Sequence, residues 1–259
     1  MLVILSPAQN MKVIPKQEFM ELPHSISIPQ YIGKADSLVS VLKKLDVDEL
    51  SELLNISKNL ALVNYLRFQN WSNKPTIENS VFSVLAFTGE VYRGMNANDF
   101  SPNDLKYSQE ILRILSGLYG VLRPLDLIQA YRLEMLTGLM VGRVKNLYEF
   151  WINEITGSLN EAIENSPGEK VLINLASSEY SSAILLKKLK YPVITPEFKE
   201  EKSGKLKMIT VYAKRARGLM TRFIIKNRLE KSEDLKAFTD EGYYFENQLS
   251  KGNKWLFVR

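Results

Sequence analysis

The 259-residue chain has no cysteine and a single histidine, His24. The first absence removes disulfides, thiolate nucleophiles, thiolate zinc sites and iron–sulfur ligation together. It also fits a reducing compartment. With one histidine, a Ser-His-Asp triad would have to recruit His24, and a metal site would be built chiefly from carboxylates. No cofactor and no metal are therefore expected. No apolar run approaches the ~18–20 residues of a membrane helix. The run Leu2–Leu5 is too short for a signal-peptide core and has no basic segment before it. A soluble, cytoplasmic protein without membrane contact is expected. Walker A, G-x-G-x-x-G and G-x-S-x-G motifs are also missing, which excludes most familiar enzyme classes.

What is present reads as a folded chain: 45% of residues are hydrophobic and 24% charged. At this length a core can bury roughly 70–75% of the unfolded surface without a covalent staple. No repeat, low-complexity tract or linker divides it, so one domain spanning 1–259 is expected, as a monomer. Leu2–Leu5 predicts a buried strand ending at Ser6-Pro7. Helical periodicity runs through Leu38, Val41, Leu42 and Leu45, then Leu50, Leu53 and Leu54. Val84–Phe87 predicts a strand and Thr88-Gly89 a turn. A helix is predicted from Asn103 to about Leu115, and another over Leu147–Glu164. Val171–Leu175, Pro192–Thr195, Leu206–Tyr212 and Trp255–Val258 predict strands, with a helix over Ala216–Leu229. Helices and strands alternate without a clean βαβ repeat, giving a mixed α/β (α+β) domain with a mixed sheet.

Net charge is +5, but it is unevenly spread. Residues 181–231 hold fourteen Lys/Arg against four Asp/Glu, so this stretch carries +10 and the rest −5. Asymmetry of this kind points to a polyanion partner; a solvated charged surface has the same composition.

Three polar segments carry the candidate chemistry. In Leu115–Asp126, Gly117 and Gly120 flank Leu118-Tyr119, allowing backbone N–H groups to approach a phosphate, with Arg123 adding charge. Helix-hairpin-helix and G-x-x-G hairpins grip nucleic-acid backbones in this way, without reading bases; a plain turn between packed helices fits equally. In Val171–Tyr180 an apolar strand runs into Ser177 and Ser178, a position that caps a helix and that also favours anions at a strand's carboxyl end. Ser6 follows the first strand in the same way. In Tyr212–Arg228, Ala216, Leu219, Met220, Phe223 and Ile224 form one apolar stripe. Arg215, Arg222 and Lys226 flank it on one side, and Lys214, Arg217 and Arg228 on the other.

These segments together resemble the YaaA family of peroxide-stress proteins. The matching stretches are Leu5-Ser-Pro-Ala8, Leu85–Tyr92, Leu115–Asp126, Tyr131–Met135, Leu147–Trp151, Asn174–Ser177 with Glu179-Tyr180, Tyr212–Met220, Arg222–Ile225 and Glu241–Phe245. The resemblance implies a single mixed α/β domain with a positively charged cleft and a helix-hairpin-helix element. It also implies a role under peroxide stress, sequence-tolerant DNA binding and low available intracellular iron. Without cysteine, the chain's own thiols cannot sense peroxide. One departure stands out: the family's usual Lys-Thr after Ser-Pro-Ala is Gln9-Asn10 here, one cation fewer.

Two functions follow. The first is a DNA-binding stress protein with Gly117, Tyr119, Gly120, Arg123, Arg132, Lys214, Arg215, Arg217 and Arg222 at the interface and an indirect effect on iron. The second is an enzyme for a phosphorylated or nucleotide-like small molecule, with Ser6, Glu134, Asn174, Ser177, Glu179 and Tyr180 converging at strand ends. Direct iron sequestration by Glu134 and Glu179 is a third possibility, without the Glu-x-x-His pattern of di-iron bundles. For the first, charge reversal at Arg217 together with Arg222 is expected to lower duplex affinity sharply and leave the fold intact, as read by a binding titration and circular dichroism; log K should fall by ~0.9 per phosphate contact with log salt.

Overall fold

A computed structural model describes residues 1–12 and 26–259; His24 lies outside them. Leu2–Leu5 forms strand β1, and all four side chains are fully shielded from water. A continuous apolar run with no alternation is the signature of a strand covered on both faces. The chain then passes Ser6-Pro7 to a short strand β2 (Asn10–Met11). Helices α1 (Ile32–Leu42), α2 (Val47–Leu54) and α3 (Lys58–Asn70) follow. Asp46 caps α2 reciprocally with Glu49, and Ser57 caps α3, which fixes where each helix starts. Next come β3 (Val81–Phe82), α4 (Ser83–Ala86), β4 (Phe87–Thr88) and α5 (Glu90–Met95). β4 pairs with β2. Helix α6 (Pro102–Ile111) begins with Pro102 in its first turn behind a Ser101–Asp104 capping box.

Two strands then form an antiparallel hairpin, β5 (Leu112–Ser116) and β6 (Gly120–Leu122). β7 (Leu127–Ile128) pairs with β3. The long helix α7 (Leu147–Asn165) leads to β8 (Leu172–Asn174), the single turn α8 (Ser178–Ser181) and β9 (Val193–Lys202). β10 (Lys205–Lys207) folds back on β9, and α9 (Thr210–Lys226) follows. The antiparallel pair β11 (Tyr244–Lys251) and β12 (Lys254–Val258) completes the sheet.

The main sheet has eight strands in the order β11-β12-β9-β8-β1-β5-β6, with β10 paired to β9. The five central strands, β12, β9, β8, β1 and β5, run parallel, and antiparallel strands close both sides. The fold is thus a mixed α/β domain around one core. β1 lies between β5 and β8, and the next strands of the main sheet, β5 after β1 and β9 after β8, lie in opposite directions across it. In open α/β sheets that divergence leaves a crevice at the strand ends.

Three expected elements differ. The helix expected to reach Leu115 ends at Ile111, because Leu112–Ile114 pair in parallel with Val3–Leu5. A short apolar run suits either state, and the neighbouring strand decides. Ser83–Ala86 is helical where a strand was expected. Ser83 Oγ donates to the carbonyls of Arg123 and Pro124, and the strand shrinks to Phe87–Thr88. Leu206–Tyr212 is not one strand. Ser203 and Gly204, both with positive φ, make the tight hairpin turn into β10, and a helix begins at Thr210. The edge strand β11 escaped notice because its sequence is polar and mostly exposed.

Helices α5 and α9 cross through glycine on both sides. A Cβ at Gly218 would lie 1.8 Å from the Val91 carbonyl oxygen, and one at Gly94 would lie 2.3 Å from that of Arg215. Both obstacles are backbone, so neither can step aside. Gly218→Ala is expected to lower the melting temperature by about 5–10 °C, the equivalent of roughly 2–3 kcal/mol of overpacking. Thermal denaturation checks it, with Gly157→Ala as control. Gly157 lies exposed in α7 with open space around its Cα, and that substitution should hold or raise the melting temperature.

Candidate functional site

At the carboxyl ends of β1 and β8 lies a cavity of about 360 Å³, within the usual range of small-molecule sites. Its lining comes from five places: Ser6–Asn10 after β1, Thr88–Tyr92 at the start of α5, Tyr131–Glu134, the segment after β8, and α9. Ser6, Arg132, Glu134, Ser177, Glu179, Tyr180, Lys214 and Arg217 all face it. Residues scattered over more than 200 positions, expected on separate grounds as DNA contacts or enzyme groups, therefore share one site.

Its floor is rigid. Tyr92 donates its hydroxyl to the Ser6 carbonyl at 2.9 Å, fastening α5 to the end of β1. The Ser177 amide donates to Ser6 Oγ at 2.8 Å, and Ser6 Oγ donates to Ser177 Oγ at 3.1 Å, tying the two strand ends together. Tyr131 bonds Ser116 at 2.6 Å and packs edge-on against Tyr119 and Phe87. Burial pushes the Tyr92, Tyr131 and Tyr180 hydroxyls above the ordinary tyrosine range, so they act as neutral donors and acceptors. Gly89 opens α5 at φ 121°, a backbone region closed to side-chain-bearing residues.

The charged walls are arranged unequally. Glu134 Oε1 accepts from Arg132 at 3.1 Å and from Gln9 at 2.9 Å, which leaves Oε2 without a partner among the described residues. At Gln9 the partner of Glu134 is thus a neutral amide. Arg132 keeps its Nε buried with no hydrogen-bond partner. An orphaned donor of this kind costs about 1–3 kcal/mol and calls for an explanation. Glu179 Oε1 accepts the Leu136 amide at 3.3 Å, and Tyr148 holds the Glu179 backbone carbonyl at 2.9 Å. Burial raises the Glu179 carboxyl above the usual carboxylate range. The Glu134 charge adds to the rise, while backbone amides and Lys214 oppose it.

Helix α9 sorts its cations into two sets. Arg215 is bound to Glu241 at 2.6 Å, Arg222 grips Asp99 through two bonds of 2.6 and 2.8 Å, and Lys226 shares Asp104 with Arg228, which lies just past the helix end. Lys214 and Arg217, the two that face the cavity, have no ion pair or side-chain hydrogen bond among the described residues. Arg217 is also desolvated, which lowers its affinity for a proton.

The remaining expected residues sit elsewhere. Gly117, Tyr119 and Gly120 are buried in the β5–β6 hairpin, not in a turn between helices. A Cβ at Gly117 would meet the Leu133 carbonyl oxygen at 2.3 Å, and one at Gly120 the Trp151 ring at 2.7 Å. Trp151 also donates to the Gly117 carbonyl at 2.9 Å. These glycines serve close packing, and residues 115–126 form strand, turn and strand in place of a helix-hairpin-helix. The Tyr119 hydroxyl accepts from Trp71 at 2.9 Å. Arg123 is paired with the buried Asp126. Asn174 turns away to line a second cavity, its Oδ1 accepting the Ala176 amide. Gln9, Thr88, Glu90, Tyr92 and Tyr131 were not singled out as site residues, although Tyr92 and Tyr131 fall in the family-matching stretches.

The Glu179 environment has a measurable consequence. A carboxyl whose folded pKa is raised contributes stability that is full below its unfolded pKa and is lost as pH rises through the folded value. Glu179→Gln should therefore be more stable than the parent at pH 7–8, and the two should converge below about pH 4. Thermal melts across that range check the crossing.

Among the described residues no helix is long and apolar enough to cross a membrane. A family model for the peroxide stress protein YaaA matches residues 1–249. A UPF0246 protein of Flavobacterium psychrophilum is 46% identical over 262 residues, with both chains covered in full. UPF0246 proteins of Cellvibrio japonicus and Shewanella amazonensis are 44% and 43% identical, covering all of this chain and 98% and 99% of theirs. The cavity-lining segments 5–8, 85–92, 131–135 and 174–180 all fall within the matched length, and the chain belongs to the peroxide stress protein YaaA family.

Proposed function

We propose that this member of the peroxide-stress family binds, and acts as an enzyme on, a phosphorylated or nucleotide-like small molecule in the cavity at the ends of β1 and β8. The carrying observation is the pair Lys214 and Arg217. On a helix whose other cations are matched to carboxylates, these two line the cavity with no carboxylate at ion-pair distance among the described residues. A desolvated guanidinium without a partner is costly unless an anion completes it. Arg132, with its orphaned Nε, supports the same reading. Phosphate, like a carboxylate, is an anion that a guanidinium recognises by paired hydrogen bonds. Glu179, whose burial favours its protonated form, is the group we assign to proton transfer.

Sequence-tolerant DNA binding is a second reading. It is favoured by the exposed Lys202, Lys205 and Lys207 on the β9–β10 hairpin and by the exposed Lys214. Contacts at Lys214 and Arg217 would be to backbone phosphates, without base readout. An effect on intracellular iron would then be indirect. The carboxylates Glu134 and Glu179 are engaged by Arg132, Gln9 and a backbone amide, which does not resemble an iron cage.

Arg217→Gln separates these readings, whereas reversal of Arg222 breaks its pair with Asp99 and tests the fold instead. Calorimetric titration with AMP should show an affinity loss of about 10–100-fold in Arg217→Gln, the worth of one hydrogen bond between charged groups, with the melting temperature unchanged. Failure of the parent protein to bind AMP, or equal affinities, overturns the proposal. A 20-base-pair duplex whose binding falls in Lys214→Glu/Arg217→Glu while AMP does not bind supports the second reading.

A further inference from the structure

Resting on the reading of the cavity as an anion site, we infer that its ligand carries hydroxyl groups beside the phosphate, as a ribose phosphate does. Bare phosphate and a duplex backbone do not meet that requirement. The observation behind this is the mixed charge of the walls. A pocket for phosphate alone gains nothing from carboxylates, which repel the anion and cost energy to desolvate. Yet Glu134 and Glu179 line the same cavity as Arg132, Lys214 and Arg217.

Carboxylates in such a place are accounted for when the ligand presents donors to them, because an ionised carboxylate only accepts hydrogen bonds. Glu134 is prepared for that. Both of its contacts fall on Oε1, and Oε2 is left open among the described residues. Gln9 and Arg132 hold the carboxylate through Oε1, so that little side-chain freedom remains to be lost on binding. Thr88, Ser6 and Ser177 add neutral hydroxyls around the same space. Arg132 and Glu134 stand two residues apart on one extended segment, so a cation and an acceptor face the ligand together. A phosphate with neighbouring hydroxyls matches this alternation of donor and acceptor. Duplex DNA does not, having no 2′-hydroxyl and no free sugar hydroxyls along its length. The Arg132 side chain is only 16% exposed.

Calorimetry on the intact protein at pH 7.5 and fixed ionic strength, with ribose 5-phosphate, inorganic phosphate and a 20-base-pair duplex as probes, tests this. Ribose 5-phosphate should bind at least about tenfold tighter than inorganic phosphate. In Glu134→Gln, which keeps the side chain's shape but removes its charge, that ratio should fall to about threefold or less. Inorganic phosphate should hold or gain affinity in this variant, since a repulsive charge has gone. A merely structural role for Glu134 would weaken both ligands together, and that result overturns the inference. Equal affinity of the two small ligands for the parent protein also overturns it and leaves the anion site standing. If neither small ligand binds, the underlying reading of the cavity fails too, and binding of the duplex alone replaces it with the nucleic-acid reading.

Discussion

The crossing of α5 and α9 is the constraint on which the site depends. Two glycines remove the side chains that would hold the helices apart, so the Val91 carbonyl lies where a Cβ on residue 218 would be. Neither helix makes this site alone. α5 is tied to the end of β1 by the Tyr92–Ser6 bond. Close apposition of α9 to α5 then brings Lys214, one turn before Gly218, and Arg217, immediately before it, over the same strand end. The glycines thus transmit the position of a central strand to two cations that are remote from it in sequence. Ion pairs farther along the helix, Arg222 with Asp99 and Lys226 with Asp104, lock its rotation.

Charge in this protein acquires meaning only after pairing. A segment carrying +10 invites comparison with nucleic-acid-binding surfaces, and much of that charge is spent internally. Arg215, Arg222, Lys226 and Arg228 each meet a carboxylate contributed by the acidic remainder of the chain. The imbalance between the two parts of the sequence is therefore partly the trace of this segment docking on the rest of the chain. What survives this cancellation at the cavity is small in number and placed with acceptors beside it, an arrangement suited to a compact ligand with both anionic and donor groups.

The glycine segment 117–120 shows how a sequence pattern can mark a demanding position whose burial only the fold reveals. Gly117 and Gly120 are indispensable to packing because Leu133 and Trp151 occupy the space a side chain would need. Leu133 belongs to the strip that bears Arg132 and Glu134. The buried hairpin therefore packs against the segment that lines the cavity. Asn174 illustrates the converse. It lies only three residues before Ser177 and at the same strand end, yet its carboxamide is turned to cap the Ala176 amide and faces a different cavity.

Local chemistry was sufficient for much of the architecture. Leu2–Leu5 could only be a covered strand, periodicity located the helices around 32–70 and 147–165, and the apolar stripe of Ala216, Met220 and Ile224 is buried as its spacing requires. The sequence also held Ser6, Arg132, Glu134, Ser177, Glu179, Tyr180, Lys214 and Arg217 as candidates, because polar groups after apolar strands and cations on a helix margin are visible in one dimension. The state of Leu112–Ser116 was decided by β1, since a short apolar run takes whichever hydrogen-bond partners the sheet offers. So was the sorting of the arginines, since whether a cation is free or paired depends on which carboxylate the fold delivers to it. Strand ends and helix margins are properties of the chain, whereas their convergence on one cavity is a property of the packing, set by contacts between residues 86 and 171 positions apart.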